Sequence, residues 1–238
     1  MYIIDGVKRR LHRDIAADPQ THGWVLNLFL NGERYPQTVC DYFQSEYAPT
    51  PQLAEQISQH EKDEHKHELL FAKAIRSLGE PVVELPRVDV FNVVIRWFTP
   101  GTFHILPGDG PEMRREKLAN FMAHCHFLEK RVARSLVYQA DASQDSAGPL
   151  VGKAVAAVLR DEGRHVTYTL DAVVDLLPRR RRQEVLDAHR RAEARANVRF
   201  SHTQMRSFLA RHARLVPRRR RLLYRVCGAL MEGADRML

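Results

Sequence analysis

Two short motifs could do chemistry together: Glu64-His65-Lys66-His67 and Glu162-Gly163-Arg164-His165. Each sets a carboxylate and an imidazole three residues apart, which on a helix puts both on one face about one turn apart. A carboxylate so placed can bridge two metal ions while the imidazole ligates one of them. A single Glu-x-x-His match carries little weight, because a charged solvent face produces the same pattern. The neighbouring residues add to it. Counting turns from Glu64 gives Leu53, Ile57, His60, His67, Phe71, Ile75 and Leu78, an apolar stripe that the motif interrupts. The competing register, Glu61-His65-Glu68, falls beside Ser58 and Ala54 and reads as solvated. Around Glu162 the count gives Val151, Val155, Val158, His165, Thr169, Val173 and Leu176, again mainly apolar. Carboxylates turned inward are costly unless paired or metal-bound.

Each motif has a further carboxylate upstream. Glu129 precedes Glu162 by 33 residues and shares a stripe with Leu118, Met122, Cys125, Val132 and Leu136. Glu33 precedes Glu64 by 31 residues and shares a face with Leu26, Phe29, Cys40 and Phe43. A turn lies near the middle of each interval, around Asp145 and Thr50, so antiparallel helices would bring each pair to one level. Against this, Asn31-Gly32 is a turn signal and Pro36 removes a backbone donor. Either the first helix kinks beside Glu33 or Glu33 lies in a loop, with Glu46 as the fallback carboxylate. His60, one turn before Glu64, reads as a core histidine or as an additional metal ligand. His126, one turn before Glu129, reads as core or as a support behind the ligands, and Tyr168 as packing or as an electron carrier.

The helical period predicts the elements that would position these residues. Helices are expected over about His22–Tyr47, Gln52–Leu78, Met113–Ala140 and Leu150–Leu177. They form two hairpins joined by a long crossover, about Glu80–Pro111, whose FNVVIRWF run could be strand-like or a short helix. Beyond Pro178 the chain still reads as helical, and Pro-Arg-Arg-Arg-Arg at Pro178 and again at Pro217 predicts the starts of two extra helices.

Composition bounds the rest. The 238 residues, 44% of them hydrophobic, suffice for a core without staples. Three scattered cysteines, Cys40, Cys125 and Cys227, without a CxxC, argue for a reducing compartment and against a disulfide framework or zinc ribbon. No signal-peptide order and no apolar run long enough for a membrane span are present, so a soluble, cytoplasmic protein is expected. Residues 178–238 hold 17 Arg and 5 acidic residues, net +12, whereas residues 1–177 hold 20 basic and 24 acidic ones, net −4. A basic tail of this kind could dock RNA or an acidic carrier protein, although its only aromatics, Phe200, Phe208 and Tyr224, make base stacking sparse. A homo-oligomer is also expected.

One Glu from each of two helices, plus Glu-x-x-His from each of the other two, is the pattern of the ferritin-like di-iron carboxylate proteins, and over about residues 22–177 the chain resembles them. The resemblance implies an all-α fold: a ferritin-like four-helix bundle (residues 1–177) with one long crossover, followed by extra C-terminal helices (178–238) packed on or beside it. It implies two Fe ions, with Mn/Fe the other metal choice, held by Glu33, Glu64, His67, Glu129, Glu162 and His165, with His60 as a further ligand. It further implies O2 as co-substrate, an external electron donor and a small organic substrate, free or carrier-bound, for an oxygenase or oxidase. Iron oxidation or peroxide handling is the alternative, and a tRNA-modifying hydroxylase using the basic tail is another. The CxxC iron site usual in rubrerythrins is missing from the sequence.

Overall fold

A computed structural model describes residues 2–38, 43–143 and 148–237; Cys40 and the middle of the turn after Asp141 lie outside them. Among the described residues there are eight α-helices and no strand. They are α1 (Tyr2–Ala16), α2 (Pro19–Thr38), α3 (Pro51–Ser77), α4 (Phe91–Phe98), α5 (Pro111–Ser143), α6 (Pro149–Leu176), α7 (Arg179–His212) and α8 (Arg218–Met237). Proline opens α2, α3, α5 and α6, and stands just before α7 and α8. Its fixed φ suits a first helical position, where the missing N–H has no partner to lose. Thr50 caps α3 by accepting the Leu53 N–H at 3.2 Å. At the other end Gly79, at φ +77°, donates to Arg76 while Glu80 donates back to Ile75, closing the last carbonyls.

The first long helix differs from its expected extent. It is described as far as Thr38, and Ser45–Tyr47 is a separate 3-10 turn instead of its last turn. Nor does α2 break at Asn31-Gly32. Pro36 cannot donate to the carbonyl of Gly32, and that carbonyl is taken instead by the Asn92 side chain of α4 at 3.2 Å. Asn27 and Asn31 serve a tertiary purpose. Their side-chain oxygens accept the N–H groups of Val83 and Leu85 at 2.8 and 3.0 Å. Their amides donate to the carbonyls of Pro81 and Val83 at 3.0 and 2.9 Å. Two asparagines one turn apart thus hold the extended start of the crossover along α2. The FNVVIRWF run is α4, a helix, packed on α7.

α1 was not anticipated; its Leu11 and Ile15 are buried and it packs on α5. One apolar cluster joins these residues to Trp24, Phe71, Leu136 and Val155, and also to Met205, Phe208 and Tyr224 of α7 and α8. Part of the tail's Arg excess meets the acidic body: Arg181 pairs with Glu116, Arg220 with Asp14, and Arg211 lies 3.5 Å from Asp89. No helix among the described residues is long and apolar enough to cross a membrane.

Candidate metal centre

Four helices deliver seven titratable side chains to one buried place. α3 contributes His60, Glu64 and His67, α6 contributes Glu162 and His165, α2 contributes Glu33 and α5 contributes Glu129, none more than 5% exposed. Ligand atoms of Glu33, Glu64, His67 and Glu162 all lie within 4.8 Å of one another, and so do those of His60, Glu64 and His165. Glu64 belongs to both groups. Glu162 reaches both as well, with Oε1 3.8 Å from His67 Nδ1 and Oε2 3.5 Å from His165 Nδ1. Glu33 Oε2 lies 3.3 Å from His67 Nδ1, and Glu129 Oε1 lies 3.5 Å from His60 Nε2. Glu46 of the 3-10 turn takes no part in either group. Glu61 and His65 are exposed, as the competing register suggested.

These donors suit a cation and little else. Both oxygens of Glu162, Oε1 of Glu64, Nδ1 of His165 and Nε2 of His60 are buried without a hydrogen-bond partner among the described residues. Native interiors rarely leave such atoms orphaned. Burial, with Glu129 next, raises Glu33; burial, with Glu33 next, raises Glu64; burial, with Glu129 next, pushes Glu162 well up. Burial acts to raise Glu129 too, but the His60 imidazole beside it holds it down. Burial acts to lower His60, yet Glu129 and Glu64 bring it up to about 9. His165 drops to about 3 through burial, then through His60. Four carboxylates therefore share too little positive charge, a deficit that dications would fill. Buried His/Glu clusters of this kind could hold metal ions.

The ring nitrogens facing away from the carboxylates are tied crosswise between helices. His67 Nε2 lies 3.2 Å from Asp161 Oδ2 of α6, and His165 Nε2 lies 3.4 Å from Asp63 Oδ2 of α3. Lys66 bonds Asp63 at 3.0 Å and Asp161 at 2.5 Å; Arg164 bonds the same two aspartates at 3.1 and 2.5 Å. The counterparts occupy identical places, since both segments read Asp-Glu-x-Lys/Arg-His, at Asp63–His67 and Asp161–His165. Reading the sequence only as Glu-x-x-His missed the aspartates and cations, and the repeated five-residue pattern was the signal for them. A carboxylate on the far ring nitrogen fixes tautomer and ring orientation. Asp161→Asn is therefore expected to weaken metal binding about 10- to 100-fold without unfolding the chain, as measured by competition with a calibrated chelator. Unchanged affinity would make Asp161 merely a salt-bridge partner.

His60 is steered by Tyr168, whose hydroxyl lies 2.7 Å from Nδ1, so Nε2 is aimed at the carboxylates. Its ring stacks on His165 at 3.7 Å. His126 stands apart: its Nδ1 bonds the Val166 carbonyl at 3.0 Å and ties α5 to α6. Cys125 is buried and Cys227 half-buried, both as free thiols.

Two cavities reach the cluster. One, of ≈ 130 Å³, touches Glu33, Glu64 and Glu129 and is walled by Leu11, Ile15, Trp24, Val25, Phe29, Phe91, Phe200 and Met205. Its walls come partly from α1, α4 and α7, none of which supplies a member of the cluster. The other, of ≈ 390 Å³, meets His60 and His165 from the side of Gln56, Gln59, Asp63, Arg164 and Asp171. Comparison of the chain with protein-family models, with curated proteins and with solved structures finds no match in any of the three.

Proposed function

We propose that this protein is an O2-activating non-haem di-iron oxygenase or oxidase acting on an organic metabolite. Its frame would be a ferritin-like four-helix core of α2, α3, α5 and α6, with α1, α4, α7 and α8 added around it. Glu33 and His67 would hold one iron, and Glu129 and His165, with His60, the other. Glu64 and Glu162, which face both histidines, would bridge them. Reduced iron held there would supply electrons and open positions for O2, with an external donor as the source of further electrons. The chain's own residues do the rest. Asp161 and Asp63 orient the imidazoles, Tyr168 orients His60, and the apolar wall excludes water.

The observation that carries this reading is the apolar cavity ending on Glu33, Glu64 and Glu129. A pocket that is mostly apolar, with a few polar groups, is the form of a small-molecule site. Iron oxidation without an organic substrate needs no such wall. That second reading draws on the other cavity, whose Asp63 and Asp171 could pass cations inward. Exposed Arg218, Arg219 and Arg225 on α8 would give an acidic carrier or RNA a surface to meet.

Supplying excess Fe(II) and air separates the two. An oxygenase is expected to oxidise about two irons per chain and stop, because the site keeps its metal. Continued oxidation of many irons per chain, followed by stoichiometric ferric product, would favour the iron-handling alternative instead.

A further inference from the structure

The apolar cavity carries polar groups that no neighbour explains. Gln204 of α7 lines it and is 8% exposed, and both its amide nitrogen and its amide oxygen are buried without a hydrogen-bond partner among the described residues. Native interiors rarely leave such groups unpaired, so a ligand with a hydrogen-bonding group is the natural complement. Lys8 of α1 lines the same cavity, and its ammonium is bonded to the neutral Asn197 oxygen at 3.0 Å. Burial, then Arg131, pushes Lys8 down to about 8 despite Glu193 and Asp5. Arg131, also on the wall, is itself engaged by Glu193 at 2.5 Å. Lys8 is thus a half-buried cation without a carboxylate of its own among the described residues.

Position along the helices orders these groups. Arg131 is two residues from Glu129, and Asn197, the partner of Lys8, is one turn beyond Glu193, the partner of Arg131. The Lys8 end of the cavity is therefore the carboxylate-cluster end. Trp24, by contrast, lies nine residues before Glu33 on α2, about 13 Å away along the axis. Gln204 is seven residues beyond Asn197 on α7, about 10 Å further along in the same sense.

We propose that the cavity binds an amphipathic organic acid, with its carboxylate on Lys8 beside the metal cluster and its apolar stem running along Leu11, Ile15 and Val25. A hydroxyl or amide on the stem, some eight carbons from the acid, meets Gln204. The volume of ≈ 130 Å³ is close to that of a protein cavity that takes up benzene, roughly 150 Å³, which limits the stem to a medium chain. This assignment names the substrate class of the proposed oxygenase and rests on that reading for its chemistry, though not for its binding.

Trp24 supplies the readout, because it lies in the cavity wall while the chain's other tryptophan, Trp97, is 51% exposed. The full-length chain carrying Trp97→Phe is titrated with octanoate, 8-hydroxyoctanoate, octanol and octylamine, both as isolated and after iron loading. Saturable change in Trp24 fluorescence is expected for the two acids, at least about tenfold tighter than for octanol or octylamine, the size of one charged hydrogen bond. The hydroxy acid should bind more tightly than octanoate, and Gln204→Leu should reverse that order. Lys8→Met should lose the preference for acids and Lys8→Arg should restore it. Equal binding of octanol and octanoate, or no saturable response to either acid, overturns the proposal. Iron loading without acid binding would leave the di-iron reading standing and this one refuted, and acid binding without iron loading would do the reverse.

Discussion

Glu64→Gln is expected to strip both metal ions from the chain, whereas His67→Ala and His165→Ala should each leave about one of about two. The difference follows from sharing. Glu64 is the residue that belongs to both groups of converging ligand atoms, while His67 and His165 each belong to one. A glutamine keeps the shape of the side chain, so no cavity opens in the core. It removes the negative charge that two dications need and leaves an amide nitrogen where an oxygen would bind. Anaerobic loading with Fe(II), desalting and elemental analysis reads the outcome. Two ions retained in Glu64→Gln would remove it from the site, and one retained would place it in a single half. Circular dichroism at the same pH guards against a trivial loss through unfolding.

The second large effect concerns pH and should appear in the metal-free chain. Glu33 and Glu64 are pushed up to about 8 from an ordinary 4.5, through burial first. His60 is brought up to about 9 from 6.5 by Glu129 and Glu64, against burial. Each of these groups keeps a proton in the folded state that the unfolded chain has already lost. Stability must therefore fall as pH rises. Between 4.5 and 6.5 the fall is opposed. His12, His22 and His189 are held to about 4, and His124 and His165 to about 3, so they regain stability as pH climbs to their ordinary 6.5. From 6.5 to 8 that opposition is spent. In that window the metal-free protein is expected to lose about 1.4 kcal/mol per pH unit for each proton retained, with mutual repulsion among the glutamates making the sum less than additive. Urea midpoints at constant ionic strength, with and without bound metal, measure it. Loading with metal should flatten the dependence, because dications replace the protons, and Glu64→Gln should make it shallower without metal. Free energy that stays level or rises from pH 6.5 to 8 in the metal-free chain would show that the cluster is not short of charge.

The two predictions share a physical origin in the way this interior was assembled. Carboxylates were placed in it with fewer cations than anions. Apolar packing from eight helices holds them there, including the basic α7 and α8, whose Phe208 and Tyr224 are fully buried. An arrangement so costly without a ligand is weak evidence for stability and better evidence for a site.

The sequence by itself determined the helical class and the inward faces. Glu64, His67, Glu162 and His165 interrupt apolar stripes of period 3.6, and a helix has no other way to bury those stripes. It also determined the level of Glu129 against Glu162, since a short turn midway between them forces antiparallel neighbours. Both Pro-Arg-Arg-Arg-Arg runs announced α7 and α8, because proline suits a helix start wherever it falls. What the sequence could not decide depended on partners distant along the chain. Gly32 and Pro36 read as a break, whereas α2 runs on through them, and the carbonyl left orphaned by Pro36 accepts from the amide of Asn92, sixty residues on. Asn31 reads as a turn former, and with Asn27 it bonds the crossover instead. The Glu-x-x-His pattern passes over Asp63 and Asp161, and the α3–α6 packing turns each onto the other helix's histidine. Lys8 and Gln204 carried no local signal at all. Local periodicity fixes which way a side chain faces on its own helix, and only the docking of α1, α4 and α7 on the core decides what it faces.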